Sequence, residues 1–327
     1  MIGFDNLGNK GWLGNQMFQY AALRGVASKK KIKWLIPPND STRKHNYLLL
    51  DTFQLTNCKE INIGYLKNFY PEDQINHFIE PLDRDRKNNH GGLVFDSEVF
   101  NKISINTNLE GFFQSEKYFS HIKNSIRQDF KFKTQIMSSA KSKLTLKKDS
   151  YFLHIRKKDF TKSRAYHYNL PLSYYQNAIN KFDKDRPCLV FSDDIDWCKN
   201  QDFFSSKKFY FSNENYTIPL LVKNKKISSN ISYPSDDLYL MSQCNGGIIA
   251  NSSFSWWGAW LQDSNQENHQ IVSPEDSFWR GFYSDNFEKK PKDISLNSWN
   301  KVSPNNRDIL IKKILTYFYK YFFIPRD

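Results

Sequence analysis

The cluster His154-Ile155-Arg156-Lys157-Lys158-Asp159 follows a short apolar run and holds residue types that bind anions or carry protons. The planar guanidinium of Arg156 offers paired N–H donors whose spacing matches phosphate oxygens. Because side chains alternate along a strand, His154 and Arg156 are predicted to point the same way at its end. The structural alternative is an ion pair between Arg156 and Asp159. This cluster is therefore a candidate anion site.

Two adjacent carboxylates, Asp193 and Asp194, follow a second apolar run. Such a pair could accept hydrogen bonds from ribose hydroxyls or from the N1/N2 edge of a guanine. Two other interpretations stay open on the residues alone. One aspartate caps the following helix, or Asp194 and Asp196 form a DxD metal site.

The third cluster is the most informative, and it covers Asn251 to Leu261, NSSFSWWGAWL. Asn251 or Ser252 is predicted to cap a helix that begins at about Ser252. Free amides in a first helical turn, here near Ser253 and Phe254, favour phosphate together with the helix dipole. The turn is therefore predicted to be an anion site.

Aromatic residues dominate the helix predicted after this turn. Phe254, Trp257 and Leu261 recur at helical spacing and predict a buried face. The three tryptophans Trp256, Trp257 and Trp260 lie within five residues. We interpret that density as more than core packing.

A fourth segment near the start of the chain holds Gly14, Asn15 and Gln16. Gly14 allows a tight turn or the close approach of the backbone to a ligand. An apolar helix face is predicted to follow, with Phe18 and Ala21 on it. The alternative is a plain strand-to-helix turn without a ligand.

Strand and helix patterns alternate in the second half of the chain. Apolar runs predict strands over Tyr151–Arg156, Cys188–Phe191 and Gly247–Ala250, and a helical pattern covers Leu172–Phe182. Buried strands alternating with helices predict a parallel sheet with helices on both faces. Ligands of such sheets collect at the carboxyl ends of the strands, where three of the polar clusters lie.

The Lys- and Ser-rich stretch 138–150 is the predicted boundary between two domains, residues 1–150 and 151–305. Residues 306–327 form a third segment, with an amphipathic aromatic helix predicted over 308–323. We expect this helix to pack back on the body of the protein. Its other interpretation is a peripheral contact with a membrane surface.

Composition narrows the class of protein. A net charge of +13 leaves nucleic acid, anionic membranes and anionic small substrates open. The polar stretch 83–92 is predicted to be a surface loop, and the lysine runs to be solvated faces. No RRM, KH or zinc-finger pattern accompanies the charge, so we expect no nucleic-acid partner. Four cysteines without paired spacing, and no apolar run of ~18 residues, predict a cytoplasmic protein with free thiols.

Together the four segments resemble glycosyltransferase family 11, the alpha-1,2-fucosyltransferases. The motifs that carry the resemblance are GNQMFQYAALR (14–24), HIRKKDF (154–160), FSDD (191–194) and NSSFSWWGAWL (251–261). The resemblance implies an α/β fold of GT-B type, in which two Rossmann-like domains face each other across a cleft. The family's usual His-x-Arg-Arg-Gly-Asp is His-Ile-Arg-Lys-Lys-Asp here, and the residues from Asn6 to Trp12 intervene before the first motif.

The resemblance also implies roles for single residues. Arg156 would contact the donor pyrophosphate, and Asp159 is the candidate general base. The remaining nucleotide-sugar residues are His154, Asp193 and Asp194 at the guanosine, Asn251, Ser252, Ser253 and Phe254 at the pyrophosphate, and Gly14, Asn15 and Gln16 on the opposite domain.

The implied reaction is inverting transfer of fucose from GDP-beta-L-fucose to a glycan acceptor, the 2-hydroxyl of a beta-galactoside, without metal or cofactor. Other readings stay open. These are a transferase forming an alpha-1,6 or O-linked fucoside, a non-catalytic carbohydrate-binding protein, and a basic RNA-binding protein.

Overall fold

The structure, a computed structural model, describes residues 1–40, 47–80, 93–143, 149–212, 234–262, 266–282 and 291–322. At residues 143, 321 and 322 only the backbone is described. The loop predicted over 83–92 lies outside these ranges.

Short strands and helices alternate along the described chain. The strands are β1 Ile2–Gly3, β2 Trp34–Leu35, β3 Asn76–Ile79, β4 Thr107–Glu110, β5 Tyr151–Ile155, β6 Cys188–Ser192, β7 Phe209–Phe211, β8 Gly247–Ile248, β9 Ile271–Pro274 and β10 Asn300–Val302. The α-helices are α1 Leu13–Lys30, α2 Leu49–Thr52, α3 Glu98–Lys102, α4 Lys123–Asp129, α5 Thr134–Lys143, α6 Lys158–Lys162, α7 Leu172–Ile179, α8 Ile195–Lys199, α9 Pro234–Ser242, α10 Ser253–Trp260 and α11 Asn306–Phe322.

The chain forms two compact units. The first comprises residues 1–134 with 292–294, and the second comprises residues 135–291 with 295–327. The chain thus passes into the second unit earlier than the boundary predicted near residue 150. Helix α5 explains the difference, because Ser139 on this helix donates to Asp236 of α9 (Oγ to Oδ2, 2.8 Å). A polar stretch that looks like a linker is part of the second unit.

The first unit is built on a parallel sheet with the order β2-β1-β4-β3. Helix α1 is buried along most of its length and packs against the turn that contains Tyr118. A Cβ at Gly25 would lie 2.0 Å from the Tyr118 carbonyl oxygen, so only glycine allows this close approach.

The second unit is built on a parallel sheet with the order β10-β9-β8-β5-β6-β7. Counted within the unit, this is the doubly wound order 3-2-1-4-5-6 read from the other edge. The order reverses between β5 and β8, which pair through Leu153 and Ile248. Such a switch point opens a crevice at the carboxyl ends of the strands. The predicted parallel sheet is confirmed.

Helix α7 packs on one face of this sheet through the predicted residues. Tyr175, Ala178, Ile179 and Phe182 are all buried, although the helix ends at Ile179 rather than at Phe182. Stacking of the Phe182 ring on Tyr151 (centroids 4.1 Å apart) keeps that residue in the core beyond the helix end.

Helix α11 packs on the second unit by one face only, through Ile309, Leu315 and Tyr319. Across the described residues, no helix combines the length and the apolar character that crossing a membrane requires.

Candidate active site

Three predicted clusters of the second unit meet at neighbouring strand ends. Strand β5 lies between β6 and β8, and Leu153 pairs with Val190 on one side and with Ile248 on the other. Because all three strands are parallel, the residues that follow them lie at the same edge of the sheet. The switch point between β5 and β8 is at this edge.

His154 is a buried, neutral histidine at this edge. The residue is only 1% exposed, and its ring centroid lies 5.8 Å from that of Phe254 in the first turn of α10. Burial, and then the charge of Arg156, lower the pKa of His154 to about 3. Among the described residues, no group forms a hydrogen bond with its buried Nδ1. A buried polar atom of this kind is what a bound ligand would satisfy.

Arg156 is held by two carboxylates. Its Nε and Nη2 donate to Oδ1 and Oδ2 of Asp159 (2.8 and 2.6 Å), and Nε lies 3.4 Å from Oδ2 of Asp193. The ion pair with Asp159, the structural alternative in the sequence, is therefore present. Burial would raise the pKa of Asp159, but the hydrogen bonds and charge of Arg156 outweigh it, and the pKa is lowered.

Asp193 turns inward rather than towards solvent. Its Oδ1 accepts from the Lys157 amide (2.7 Å) and its Oδ2 from the Lys158 amide (3.1 Å), and the residue is 3% exposed. Burial raises its pKa, opposed by the charge of Arg156 and by these amides. In this arrangement Asp193 holds the turn between β5 and α6.

Asp194 caps α8. Its Oδ1 accepts from the Trp197 amide (3.3 Å), which is the helix-capping alternative considered for this residue. Within the described ranges, no three His, Cys, Asp or Glu side chains are grouped as metal ligands would be.

The turn between β8 and α10 is fixed by side-chain hydrogen bonds. Ser252 is the N-cap, as predicted, and its Oγ accepts from the Phe254 amide (3.4 Å). Trp256 makes the first backbone bond of the helix, to the Ser252 carbonyl (3.1 Å). Asn251 is buried, and its amide donates to the carbonyls of Tyr168 and Phe278 (2.7 and 2.8 Å). Ser253 and Phe254 form the first turn.

The three tryptophans of α10 are core residues. Trp256 and Trp257 are fully buried and Trp260 is 3% exposed, and their rings pack on one another and on Trp299. The interpretation that they do more than pack was wrong. Helix α10 is buried on more than one face because it also packs against α9, where Gly258 meets Met241.

One neighbouring pair was not singled out in the sequence. The ammonium of Lys157 lies 4.0 Å from the centre of the Trp197 ring, and burial lowers the pKa of Lys157. The sequence signal for this pair is the tryptophan three residues after Asp194. A helix capped by Asp194 turns back at that spacing over the end of the preceding strand.

The predicted residues of the first unit lie in the first turn of α1. The Asn15 Oδ1 accepts from Gln114 (2.7 Å), and the fully buried Gln16 accepts from the Leu48 amide (3.1 Å). Gly14 is helical and makes no tight turn, so of the two predicted roles only the close approach of its backbone to a ligand stays a prediction. The left-handed residues that make the turn are Gly8 and Gly11, with φ of 84° and 80°.

Comparison with known families decides the assignment. The sequence model of glycosyl transferase family 11 matches residues 3–303, which include every predicted site residue and, apart from Ile2, every strand. The chain belongs to glycosyl transferase family 11. It is a glycosyltransferase, and the two α/β units with parallel sheets confirm the predicted GT-B type of fold. The cleft between the domains stays a prediction.

The chain is similar to two glycosyltransferases of Escherichia coli and, more distantly, to a solved structure. The O-antigen biosynthesis glycosyltransferase WbnK of Escherichia coli is 27% identical over 88% of this chain and 97% of its own. An alpha-1,2-colitosyltransferase of Escherichia coli is 30% identical over 77% of this chain and 86% of its own. Among solved structures, POFUT1 with GDP-fucose covers 83% of this chain and 96% of its own, at 12% identity and a TM-score of 0.47.

Proposed function

We propose that this family 11 enzyme transfers L-fucose from GDP-beta-L-fucose to the 2-hydroxyl of a beta-galactoside, with inversion at the anomeric carbon. One observation carries the donor site: the buried Nδ1 of His154, without a partner among the described residues, lies beside the first turn of α10 at the switch point. A nucleotide diphosphate suits this place, because strand ends and a helix N-terminus both favour phosphate there.

The diphosphate is proposed to lie between Arg156 and the start of α10. As the acceptor oxygen attacks C1 of the sugar, the bond from C1 to the phosphate oxygen breaks and negative charge grows on GDP. Arg156, Lys158 and the amides at Ser252 to Phe254 would stabilise that charge without a metal ion. A preorganised donor of this kind contributes about a hundredfold or more to the rate.

The contacts change the proposed roles of two aspartates. A general base works best with a pKa near the working pH, whereas Asp159 is held ionised by Arg156. We therefore assign Asp159 and Asp193 to positioning Arg156, rather than to proton transfer or ribose binding. His154 remains a candidate guanosine contact, whereas Asp194 is occupied as the cap of α8.

The acceptor is proposed to be taken mainly by the first unit, which also carries the predicted nucleotide-sugar residues Gly14, Asn15 and Gln16. Gln16 is already engaged with the Leu48 amide, so it acts through the backbone that it holds.

Relatives support the linkage and introduce a second donor. One relative is named a galactoside 2-alpha-L-fucosyltransferase, from Bos taurus and 22% identical, and another an alpha-1,2-colitosyltransferase. Colitose differs from fucose by the absence of the 3-hydroxyl, so GDP-colitose is the alternative donor.

The test is a transfer assay with GDP-fucose and GDP-colitose, each with a panel of beta-galactosides and with EDTA present or absent. The proposal expects an alpha-1,2-linked fucoside by NMR, formed equally well in EDTA, and loss of about a hundredfold or more in Arg156→Ala. Transfer of colitose alone would show that GDP-colitose, not GDP-fucose, is the donor. An alpha-1,6 or O-linked product would show that the proposed alpha-1,2 linkage is wrong. Sugar binding that is independent of GDP, without any transfer, would instead identify a non-catalytic lectin.

A further inference from the structure

Helix α11 is fixed to the second unit by polar as well as apolar contacts. Ser173 donates to Asp308 (Oγ to Oδ2, 2.5 Å), and the buried Lys312 donates to the Ser277 carbonyl (2.6 Å). The Lys312 ammonium also lies 5.4 Å from the Tyr168 ring centre. The face of α11 that covers the core is therefore already occupied.

The opposite face of the same helix is apolar and about half exposed. Its large side chains recur at the spacing of one helical face, and between 42% and 58% of each is exposed: Leu310, Ile311, Ile314, Tyr317 and Phe318. We call these five residues the outer face. Contiguous exposed apolar side chains rimmed by polar residues mark an interaction surface. A helix that packs on its own unit needs one apolar face, and α11 has two.

The exposed charged residues that the structure describes on α11 are all basic. Arg307, Lys313 and Lys320 are exposed, and at 100° per residue Lys313 and Lys320 lie along one edge of the apolar stripe. The acidic residue of α11, Asp308, is turned towards Ser173. Helix α11 also follows the part of the chain that matches family 11, residues 3–303.

We propose that the outer face docks on an anionic lipid surface. Apolar side chains on an amphipathic helix enter the boundary between headgroups and acyl chains, and the flanking cations meet lipid phosphates. A second copy of the chain is a poorer occupant, because two outer faces would bring cations together without carboxylates to balance them. The net charge of +13 also attracts the protein as a whole to an anionic surface.

Flotation of the full chain with lipid vesicles tests this docking. Wild type is expected to float with vesicles of phosphatidylcholine and phosphatidylglycerol, and much less with phosphatidylcholine alone. Lys313→Glu with Lys320→Glu should lower the affinity for anionic vesicles at least twentyfold to thirtyfold, since the loss of each cation lowers this affinity about fivefold. Leu310→Ser with Ile314→Ser and Phe318→Ser should abolish it.

Matched variants elsewhere in the chain separate the effect of the outer face from the effects of net charge and of exposed apolar side chains in general. Lys123→Glu with Lys199→Glu makes the same charge change at exposed lysines, and Ile61→Ser with Ile105→Ser removes exposed apolar side chains of the first unit. Both control pairs should bind vesicles like wild type. Unchanged thermal unfolding and GDP binding in every variant would show that the fold is kept.

Three results would overturn the proposal. They are absence of wild-type flotation with anionic vesicles, equal losses in the control variants, and a dimer in solution that the triple serine variant dissociates while no vesicle binding occurs. The last would identify the outer face as an interface between copies of this chain.

Discussion

The side chain of Arg156 has little conformational freedom, because it donates two hydrogen bonds to Asp159 and its Nε lies close to Asp193. Asp193 is in turn fixed by the amides of Lys157 and Lys158. In the proposed function, a guanidinium held in this way keeps its plane when a phosphate binds, so less side-chain entropy is lost on binding. Positioning of the cation, more than its presence alone, is what the two carboxylates contribute.

Replacing Asp159 by Asn separates positioning from proton transfer. The variant loses one charge-assisted bond to Arg156, so the affinity for GDP should fall about tenfold to a hundredfold. The acidic limb of the kcat profile should stay where it is, because the lowered pKa keeps Asp159 ionised throughout that range. Asp196→Asn, at an exposed position of α8, is the matched control. Loss of the acidic limb with unchanged GDP affinity would instead make Asp159 the base.

The sequence predicted part of this residue-level arrangement. The spacing of Arg156 and Asp159 indicated an ion pair, and the position of Asp194 before a helix indicated a cap. The inward turn of Asp193 was not predictable from spacing, since it depends on where the β5–α6 turn presents its amides.

At the scale of elements, apolar runs were good predictors of strands and poor predictors of what packs around them. Strands β5 and β6 lie where predicted, and β8 is shorter than the run that indicated it. The tryptophans of α10 misled because one helical face was expected to be buried, whereas α9 covers a second. Burial of a helix from two sides depends on tertiary packing, which the hydrophobic periodicity of a single segment does not indicate.

Close packing of α1 gives a prediction at this scale. Gly25→Ala places a methyl group 2.0 Å from the Tyr118 carbonyl oxygen, so helix α1 and the Tyr118 backbone must move apart. We expect a loss of about 1 to 3 kcal/mol in the free energy of unfolding, the usual cost of overpacking. Urea denaturation measures it. Gly64→Ala is the control, because its new methyl group meets nothing nearer than 3.6 Å. Equal stability of the two variants would contradict the packing described for α1.

For the whole molecule, the division of the chain was the hardest feature to predict. Residues 292–294 return to the first unit, where Asp293 accepts from the Phe95 amide (2.9 Å) and from Lys117 (2.5 Å). Local patterns of composition cannot show such a return. They placed the boundary in a polar stretch, although that stretch begins inside a helix of the second unit.

Glu80 in the first unit and His154 in the second should contribute to stability with opposite pH dependence. In the first, burial raises the pKa of Glu80 to about 7, so its contribution to stability is present in acid and is lost as pH rises from about 4.5 to about 7. In the second, burial and Arg156 lower the pKa of His154 to about 3, so stability is lost as pH falls below about 6.5.

Glu80→Gln tests the first of these effects. The amide oxygen can still accept from the amides of Phe112 and Phe113, as the carboxylate does (2.8 and 3.0 Å), but no proton is released at neutral pH. Relative to wild type, the variant should gain up to about 3 kcal/mol between pH 5 and pH 8. Urea midpoints across that range measure the gain. A wild-type first unit whose stability does not fall over this interval would contradict the raised pKa.

The central claim is that the carboxyl edge of the second sheet binds the diphosphate of a GDP-sugar through Arg156 and the start of α10. Calorimetric titration of GDP into wild type and Arg156→Ala, both in EDTA, tests it most directly, with the exposed Arg307→Ala as a control for the loss of one charge. The account predicts GDP binding to wild type and to Arg307→Ala, and affinity at least about tenfold weaker in a folded Arg156→Ala. Failure of wild type to bind GDP, or equal affinity in Arg156→Ala, would contradict it.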